Sequence, residues 1–356
     1  MKKILGLFLF FLPVIANAQE IKLGVLPPLT GPFAELGDDC RRGVEVAVSS
    51  LAPGNKIGDR EIKLIYGDSQ ADPKIGINEY KKLTEQDKVL AVVAIRGTIC
   101  LPLNPISSQK HIPLLCGSGH PNFHSGNEYA HQSWPLTKVE GGMLAEHVLS
   151  DNVKKIAIIT GEDDWLLSLT TNFIDRFKSK AGEVIASEQV LATDYDFNSL
   201  LTKIRAKKPE GLFVNLSLAQ GPVIVKRARE LGIKAPVYSN FWLAQDSALK
   251  SAGPAIEGMT FPEAVLDYPN FNQALASLAN PKKPSGATIS CLASTAAVLI
   301  ALKQNSSISN SEQLQQELLK LKKIDVLDVS IPVENRHFLF PMAIKQIKDS
   351  KVVKIK

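Results

Sequence analysis

Short apolar runs rich in valine, isoleucine and leucine alternate with segments of helical periodicity along most of the chain. The runs read IKLGVL, EIKLIYGD, VLAVVAI and IPLLCGS in the first half, and KKIAIITG, EVIASEQVL, GLFVNLS and APVYSNF in the second. They lack a regular alternation of apolar and polar residues, which is typical of parallel strands buried on both faces. Strands that alternate with helices predict an α/β fold of doubly wound parallel sheets.

The segments between the runs predict helices at about 37–51, 72–86, 101–110, 165–180, 197–207 and 221–231. Asp72 followed by Pro73 is typical of an N-cap and first helical residue. Further along, helices are predicted at about 287–303 and 311–321, with Ser311 as N-cap. The tail FPMAIKQIKDSKVVKIK predicts a terminal strand or hairpin. The strand–helix pattern occurs twice, at about 21–137 and 138–263, so two domains are expected in a chain of 356 residues.

The first 18 residues have the pattern of a secretory signal peptide. Two lysines precede an apolar run, and Ala16-Asn17-Ala18 resembles a cleavage site. The run is too short for a permanent membrane helix, which is the alternative interpretation. No cysteine follows it, so a lipoprotein is not indicated. We therefore expect a soluble, exported protein that begins at Gln19 and resides in the periplasm.

The charge balance argues against a nucleic-acid partner. The chain has 41 basic and 36 acidic residues, a formal charge of +5. Removal of Lys2 and Lys3 with the signal peptide lowers this to +3, because 39 basic residues then face 36 acidic ones. Such near balance, with short basic runs and few aromatic residues, lacks the electrostatic pattern of a nucleic-acid-binding surface.

Four cysteines lie outside any CxxC spacing, so a zinc or thioredoxin-like site is not indicated. In an oxidising compartment, one disulfide and buried free thiols are both compatible with this number. Cys100 and Cys116 follow the ends of neighbouring predicted strands and are the expected pair. Cys40, at the first predicted helix, is a rival partner.

Ligands of open parallel sheets bind beyond the carboxyl ends of the strands. The loop at 27–37 contains three prolines and two glycines. It either simply breaks the first strand or forms part of a site. The helix that follows the loop is expected to present free N–H donors at Asp38. Arg96 directly follows VVAI and is either the ion-pair partner of a loop acid or a carboxylate clamp. Trp165 and Trp242 each follow a predicted strand, where a tryptophan either caps the domain core or forms the wall of a pocket.

No pattern indicates a cofactor, a metal or a catalytic set. The GxG of CGSGHPNF lacks the third glycine of a dinucleotide fingerprint, so Ser118, Gly119 and His120 are interpreted as hydrogen-bond donors instead. Asp163-Asp164 has no supporting acidic cluster, so a solvated loop is favoured over a metal site. The histidines match no known nucleophile signature.

Four segments resemble a known family in order along the chain: IKLGVLPPLTGPFAELGDDCRRGVEVAV, LIYGDSQADPKIGI, KKIAIITGEDDW and DFNSLLTKIRAKKPEGLFVN. They are similar to the type I periplasmic solute-binding proteins of ABC importers, the leucine/isoleucine/valine-binding group. The resemblance implies two lobes joined by three hinge crossovers, with lobe 1 at 19–137 and 265–339 and lobe 2 at 138–264 and 340–356. It also implies a monomer that delivers a small solute to an inner-membrane permease and its ATPases.

The resemblance also implies site residues. The family's small-hydroxyl site corresponds to Gly97-Thr98, its carboxylate site to Ser118–His120, its aromatic wall to Trp165 and a further contact to Ser217. The predicted ligand-binding set is Leu36, Arg96, Gly97, Thr98, Ser118, Gly119, His120, Trp165, Ser217, Phe241 and Trp242. Phe241 replaces the acid that binds the α-amino group in amino-acid binders, and the family's disulfide positions, Ala71 and Arg96, are not cysteines. We therefore expect a carboxylate ligand with an apolar or aromatic body.

Three alternatives remain open at this stage. A periplasmic sensor that reports to a receptor or histidine kinase has the same fold. A true branched-chain amino-acid binder would need another acid for the amine. An exported enzyme lacks a catalytic constellation.

Overall fold

The computed structural model describes residues 20–121 and 123–355, so the predicted signal peptide and the start at Gln19 lie outside the described residues. Its strands form two sheets, one of nine and one of seven strands, flanked by helices. We call each sheet with the helices packed on it a lobe, lobe 1 containing the nine-stranded sheet and lobe 2 the seven-stranded one. The predicted α/β fold with parallel sheets is confirmed.

The sheet of lobe 1 has the order β12-β13-β14-β6-β5-β4-β1-β3-β2. Its strands are β1 Ile21–Leu26, β2 Lys56–Ile57, β3 Arg60–Tyr66, β4 Ala91–Ile95, β5 Leu114–Gly117, β6 Ala130–Gln132, β12 Lys323–Val326, β13 Val329–Glu334 and β14 His337–Phe338. The central strands pair in parallel, as the unbroken apolar runs predict. Strands β12–β14 were not predicted from the sequence, and they extend this sheet through antiparallel pairs.

The sheet of lobe 2 has the order β16-β15-β11-β10-β9-β7-β8. Its strands are β7 Lys155–Thr160, β8 Glu183–Gln189, β9 Gly211–Asn215, β10 Val237–Ser239, β11 Thr260–Ala264, β15 Met342–Lys348 and β16 Lys351–Lys354. The strands β15 and β16 pair antiparallel, which confirms the predicted terminal hairpin. Because these two strands follow lobe 1 in the chain, the C-terminus returns to lobe 2.

The helices are α1 Ala34–Leu51, α2 Pro73–Lys81, α3 Gly97–Lys110, α4 Thr137–Ser150, α5 Asp164–Ser179, α6 Asn198–Ala206, α7 Gly221–Glu230, α8 Asp246–Ala252, α9 Pro269–Ala276, α10 Gly286–Gln304 and α11 Ser311–Leu318. The predicted N-cap Asp72 is confirmed, since its side chain accepts hydrogen bonds from the first turn of α2. The predicted cap Ser311 is wrong. Asn310 precedes it and caps α11 by accepting from the Gln313 backbone N–H. Both α1 and α3 begin one turn earlier than predicted.

The chain passes between the sheets three times, after β6, after β11 and after β14. The predicted lobe boundaries lie in or next to these three crossing segments, and we keep them as our proposal for the lobes. A short connection between β14 and β15 and a longer one containing α4 bring the two sheets side by side. This arrangement places the carboxyl ends of the parallel strands of both lobes around one cleft.

Helix α10 is almost wholly buried in lobe 1. Among the described residues it is the one helix long and apolar enough to span a membrane, and 89% of its apolar window is buried inside the fold. It packs along α1 so closely that a methyl group at Gly43 would overlap the Thr288 carbonyl oxygen. A disulfide between Cys40 and Cys291 joins the same two helices.

The close approach of these helices predicts a matched pair of glycine variants. Gly43→Ala is expected to lower the free energy of unfolding by about 1–3 kcal/mol, because the helices must separate to fit the methyl group. Gly142→Ala on α4 is the control, since its methyl group would meet only Arg176 Cγ at 4.0 Å. It should leave stability unchanged or raise it by up to about 1 kcal/mol. Urea unfolding measures both, and an equal effect of the two variants would contradict the packing argument.

All four cysteines are paired in the structure, Cys40 with Cys291 and Cys100 with Cys116. The expected pairing of Cys100 with Cys116 is confirmed, and Cys40 is not its rival. The Cys100–Cys116 bridge joins the first turn of α3 to the end of β5, so it connects the two loops that carry Arg96 and Ser118.

The denatured, unreduced protein is therefore expected to show no reactive thiol, and the reduced protein four. Titration with a thiol reagent in denaturant measures this. Two free thiols without reductant would mean that one of the bridges is absent.

Candidate ligand-binding site

A small cavity of about 30 Å³ lies in the cleft between the lobes, space for about two water molecules. Seven of the predicted site residues line it: Leu36, Arg96, Gly97, Gly119, Trp165, Phe241 and Trp242. Ile95, Gly117, Trp134 and Asp163 line it as well and were not predicted. The cavity thus receives residues from loops of both lobes.

The loop at 27–37 is held in place by Asp68, which follows β3. Its carboxylate accepts hydrogen bonds from Leu29 N at 2.7 Å and from Thr30 Oγ1 at 2.6 Å. The loop ends in α1, which begins at Ala34 and brings Leu36 to the cavity. The expectation of free N–H donors at Asp38 is wrong, because Asp38 lies in the second turn and forms ion pairs with Arg41 and Arg42.

Arg96 is the central charge of the cavity. It is the N-cap of α3 with a φ of 85°, a conformation that non-glycine residues rarely adopt. Its Nη2 atom donates to Asp163 Oδ2 at 3.0 Å, from the opposite lobe. The guanidinium stacks on Phe33, 3.6 Å from the ring centroid. Burial lowers the pKa of Arg96 and the Asp163 charge opposes this, so the side chain stays cationic at working pH.

Two polar atoms of this region remain available. Arg96 Nη1 and Thr98 Oγ1 are both buried and have no hydrogen-bond partner among the described residues. They belong to the N-cap and first turn of α3, where backbone N–H groups also lack intrahelical partners. A buried donor without a partner costs about 1–3 kcal/mol, so this end of the cavity is suited to an acceptor group.

The loop after β5 closes the other side of this end. Gln132 on β6 orders it by donating to the carbonyl oxygens of Ser118 at 2.6 Å and His120 at 2.9 Å. Gly119 lines the cavity, and a Cβ atom there would lie 2.8 Å from Trp165 Nε1. Only glycine therefore allows the Trp165 ring to lie so close to this loop.

Aromatic rings form the remaining wall. Trp165 has ring-centroid distances of 4.9 Å to Trp242 and 5.6 Å to Phe241, and Trp134 lies 5.1 Å from Phe241. Asn240 fixes the turn that carries Phe241 and Trp242, because its side chain accepts from the Trp242 backbone N–H at 2.8 Å. The interpretation of Trp165 and Trp242 as pocket walls agrees with this geometry.

Four predicted site residues do not line the cavity: Thr98, Ser118, His120 and Ser217. Ser217 is engaged in the start of α7, since its carbonyl accepts from the Gly221 N–H. Asp163 is not the solvated loop residue that the sequence favoured. It caps α5 through the Trp165 backbone N–H and pairs with Arg96. No group of three potential metal ligands is present within 20–121 and 123–355.

Residues 20–351 match the model of a family described as periplasmic binding protein. Leu/Ile/Val-binding protein homolog 2 of Brucella abortus is 25% identical over 246 residues, which cover 67% of this chain and 65% of that relative. The matched region thus spans just under two thirds of the length of this relative.

Solved structures of such proteins share the fold. The branched-chain amino acid transporter substrate binding protein of Streptococcus pneumoniae, in complex with isoleucine, has a TM-score of 0.85 at 20% identity, covering 95% of this chain and 100% of that chain. An ABC transporter solute binding protein of R. palustris, in complex with benzoate, has a TM-score of 0.83 at 18% identity, covering 94% of this chain and 95% of that chain. The present chain therefore belongs to the periplasmic binding protein family, with the type I fold of the leucine-binding proteins.

Proposed function

We propose that this protein is the periplasmic substrate-binding component of an ABC importer for a small organic carboxylate with an apolar or aromatic body. One observation carries the proposal. A buried arginine that lines the cavity has an Nη1 donor without a partner, and aromatic rings form much of the remaining wall. The partners are an inner-membrane permease and its ATPases, reached by a soluble, exported monomer with no cofactor.

The polar end of the cavity suits one carboxylate. Arg96 already gives one edge of its guanidinium to Asp163, so a single edge remains for the ligand. A dianion would add a second negative charge beside Asp163 without a second cation among the cavity-lining residues. A monocarboxylate accepts from Arg96 Nη1 and from the first turn of α3, where the helix dipole also favours an anion.

The apolar end suits a flat or branched hydrocarbon group. Trp165, Phe241 and Trp242 present aromatic area to the cavity from lobe 2, and Leu36 presents aliphatic area from lobe 1. Burying such a ligand body would stabilise the complex by about 25 cal/mol for each Å² of apolar surface removed from water. The benzoate complex of the R. palustris protein supports this class of ligand.

Closure of the two lobes would bury the ligand by a hinge motion. The structure has contacts that such a closed form requires. Arg96 pairs with Asp163, Phe33 lies 5.8 Å from Trp242 between ring centroids, and Ser247 Oγ donates to Glu35 Oε2 at 2.6 Å. All three contacts join lobe 1 to lobe 2, so they would break when the cleft opens for loading or release.

A zwitterionic α-amino acid is the second candidate ligand, because Asp163 reaches the cavity. Its carboxylate would bind an ammonium group while Arg96 binds the carboxylate of the same ligand. The isoleucine complex of the S. pneumoniae protein supports this class. We favour the carboxylate because Asp163 already has two partners, Arg96 and the Trp165 backbone N–H.

Calorimetry on unfolded and refolded, ligand-free protein tests the two candidates. Benzoate and other aromatic or branched aliphatic carboxylates are expected to bind and quench tryptophan emission, while leucine and phenylalanine show no binding at micromolar concentrations. An ammonium without an anionic partner loses several kcal/mol on burial. Micromolar binding of leucine would contradict the preferred ligand class.

Asp163→Asn separates the candidates further. The variant keeps the side-chain shape and the helix cap but removes one negative charge. Carboxylate binding should remain or become tighter, because repulsion of the anion is removed. Amino-acid binding would instead weaken by at least about tenfold, or about 1.4 kcal/mol. Asp164→Asn, the next residue along the chain, is the matched control.

A further inference from the structure

Glu140 on α4 holds the polar end of one ring of the aromatic wall and lies beside a second. The side chain is only 2% exposed, and its Oε2 atom accepts from Trp165 Nε1 at 3.2 Å. An indole has one N–H donor, so Glu140 takes the donor of the Trp165 ring. Trp134 is the second ring, and its interaction with Glu140 lowers the pKa of that carboxyl group. The same residue lines a second, very small cavity of about 10 Å³, which shares Trp134 and Phe241 with the ligand cavity.

The backbone fixes the distance between Glu140 and Trp165. A Cβ atom at Gly141 would lie 2.7 Å from the Phe173 backbone nitrogen, so α4 and α5 are in direct contact there. A hydrogen bond of 2.7 Å between Thr137 Oγ1 and Ser168 Oγ joins the same helices one turn earlier. The carboxyl group and the indole therefore have little freedom to move apart.

We propose that Glu140 is a positioning residue of the ligand site, whose carboxyl group fixes the Trp165 ring in the orientation that forms the wall. It does not line the ligand cavity and acts through that ring, with Trp134 beside it. The inference relies on the proposed function only in taking this cavity as the place where the ligand binds.

The surroundings of Glu140 contain no cation that pairs with it among the described residues. Helix α4 packs on α5, β11 and β15, whose titratable residues are Asp164, Asp175, Arg176, Lys178, Glu263, Lys345 and Lys348. Lys345 pairs with Glu263, Arg176 pairs with Glu146 further along α4, and His337 on β14 bonds to the Trp134 backbone oxygen. Desolvation by burial and, to a smaller extent, the Glu263 charge raise the pKa of Glu140 to about 8, against the Trp165 and Trp134 indoles, which lower it. The carboxyl group is therefore neutral at neutral pH.

The sign of the pH dependence follows from this shift. The unfolded chain releases the proton near pH 4.5 and the folded chain near pH 8. Glu140 therefore contributes stability that is complete below pH 4.5 and lost as the pH rises to about 8. Ionisation of Glu140 in the folded protein also places a negative charge beside the two rings. This charge lies near a site that is proposed to bind an anion.

Tryptophan emission of the ligand-free protein tests the proposal directly. The chain has three tryptophans, and all of them line the ligand cavity. The wild type is expected to show one transition near pH 8 in a titration from about pH 6 to about pH 10. Glu140→Gln keeps an acceptor for the indoles but cannot ionise, so it should keep the neutral-pH spectrum and lack the transition. A wild type without a transition, or a variant with the same one, would overturn the proposal.

Two further measurements test the proposal even if the Glu140→Gln variant does not fold or the proposed ligand class is wrong. Carbon-13 NMR of the wild-type glutamate carboxyls should show one group titrating near pH 8, and its absence contradicts the proposal. Benzoate, as the probe, should bind the wild type about tenfold more weakly at about pH 9 than at neutral pH, and Glu140→Gln equally at both. Equal pH dependence in both proteins argues against Glu140. Absence of benzoate binding at every pH contradicts the ligand class, and the emission and NMR results then decide the role of Glu140.

Discussion

Arg96→Ala is expected to weaken binding of the tightest-binding carboxylate by at least about tenfold, or about 1.4 kcal/mol. The variant removes the only cation among the residues that line the described cavity, and with it a charge-assisted hydrogen bond worth about 1.5–3 kcal/mol. It also leaves the Asp163 carboxylate without its 3.0 Å partner, where it would repel an anionic ligand. Calorimetry at neutral pH measures the loss.

Two controls separate a binding role of Arg96 from a structural one. Arg227→Ala removes an exposed arginine that pairs with Glu230 at 2.8 Å, and should leave affinity unchanged. Arg96→Lys keeps the charge but loses the planar fork that serves two partners at once, so an intermediate affinity is expected. Unchanged affinity of Arg96→Ala, with unchanged unfolding, would mean that the arginine serves only the contact with Asp163.

Lys345→Met is expected to lower the free energy of unfolding by about 3 kcal/mol, because it leaves a buried carboxylate without its cation. Lys345 on β15 donates to Glu263 on β11 at 2.7 Å, and both residues are 7% exposed. Glu263 also accepts from the Gly286 N–H at 3.2 Å, at the first residue of α10. The pair thus connects two strands of lobe 2 with a helix of lobe 1, and urea unfolding measures its loss.

The double variant Glu263→Gln with Lys345→Met should recover most of the lost stability. It removes both buried charges and keeps an acceptor for the Gly286 N–H. Lys348→Met is the matched control, since Lys348 is an exposed residue at the end of the same strand and should have little effect. Equal stability of Lys345→Met and the control would show that water solvates Glu263 well enough without its partner.

Strand-length apolar runs predicted the parallel core of both sheets, because a strand buried on both faces can be recognised from its own apolar composition. The three strands β12–β14 were missed. They are short, and β13 alternates buried and exposed residues, so its pattern differs from that of the core. The predicted starts of α1 and α3 lay too late in the chain, because the N-cap residues Phe33 and Arg96 make no side-chain capping hydrogen bond that the sequence could indicate.

Three features follow from the sequence alone: the α/β class, the doubly repeated strand–helix pattern and the loops at the strand ends that line the cavity. These properties depend on local hydrophobic periodicity and on the rule that ligands bind beyond the carboxyl ends of strands. The sequence therefore identified Arg96, Trp165 and Trp242 as candidates before their surroundings were known.

How those residues pair depends on the folded arrangement of the two lobes. Arg96 and Asp163 are 67 positions apart and lie in different lobes, so no local pattern connects them. Trp134 lies in a segment that crosses between the lobes. In the sequence Glu140 looks like an ordinary surface residue of a helix, and only the fold shows that it is buried away from water. Charge pairing and desolvation depend on distance and on exclusion of water, and in this protein both are set by how the two lobes meet.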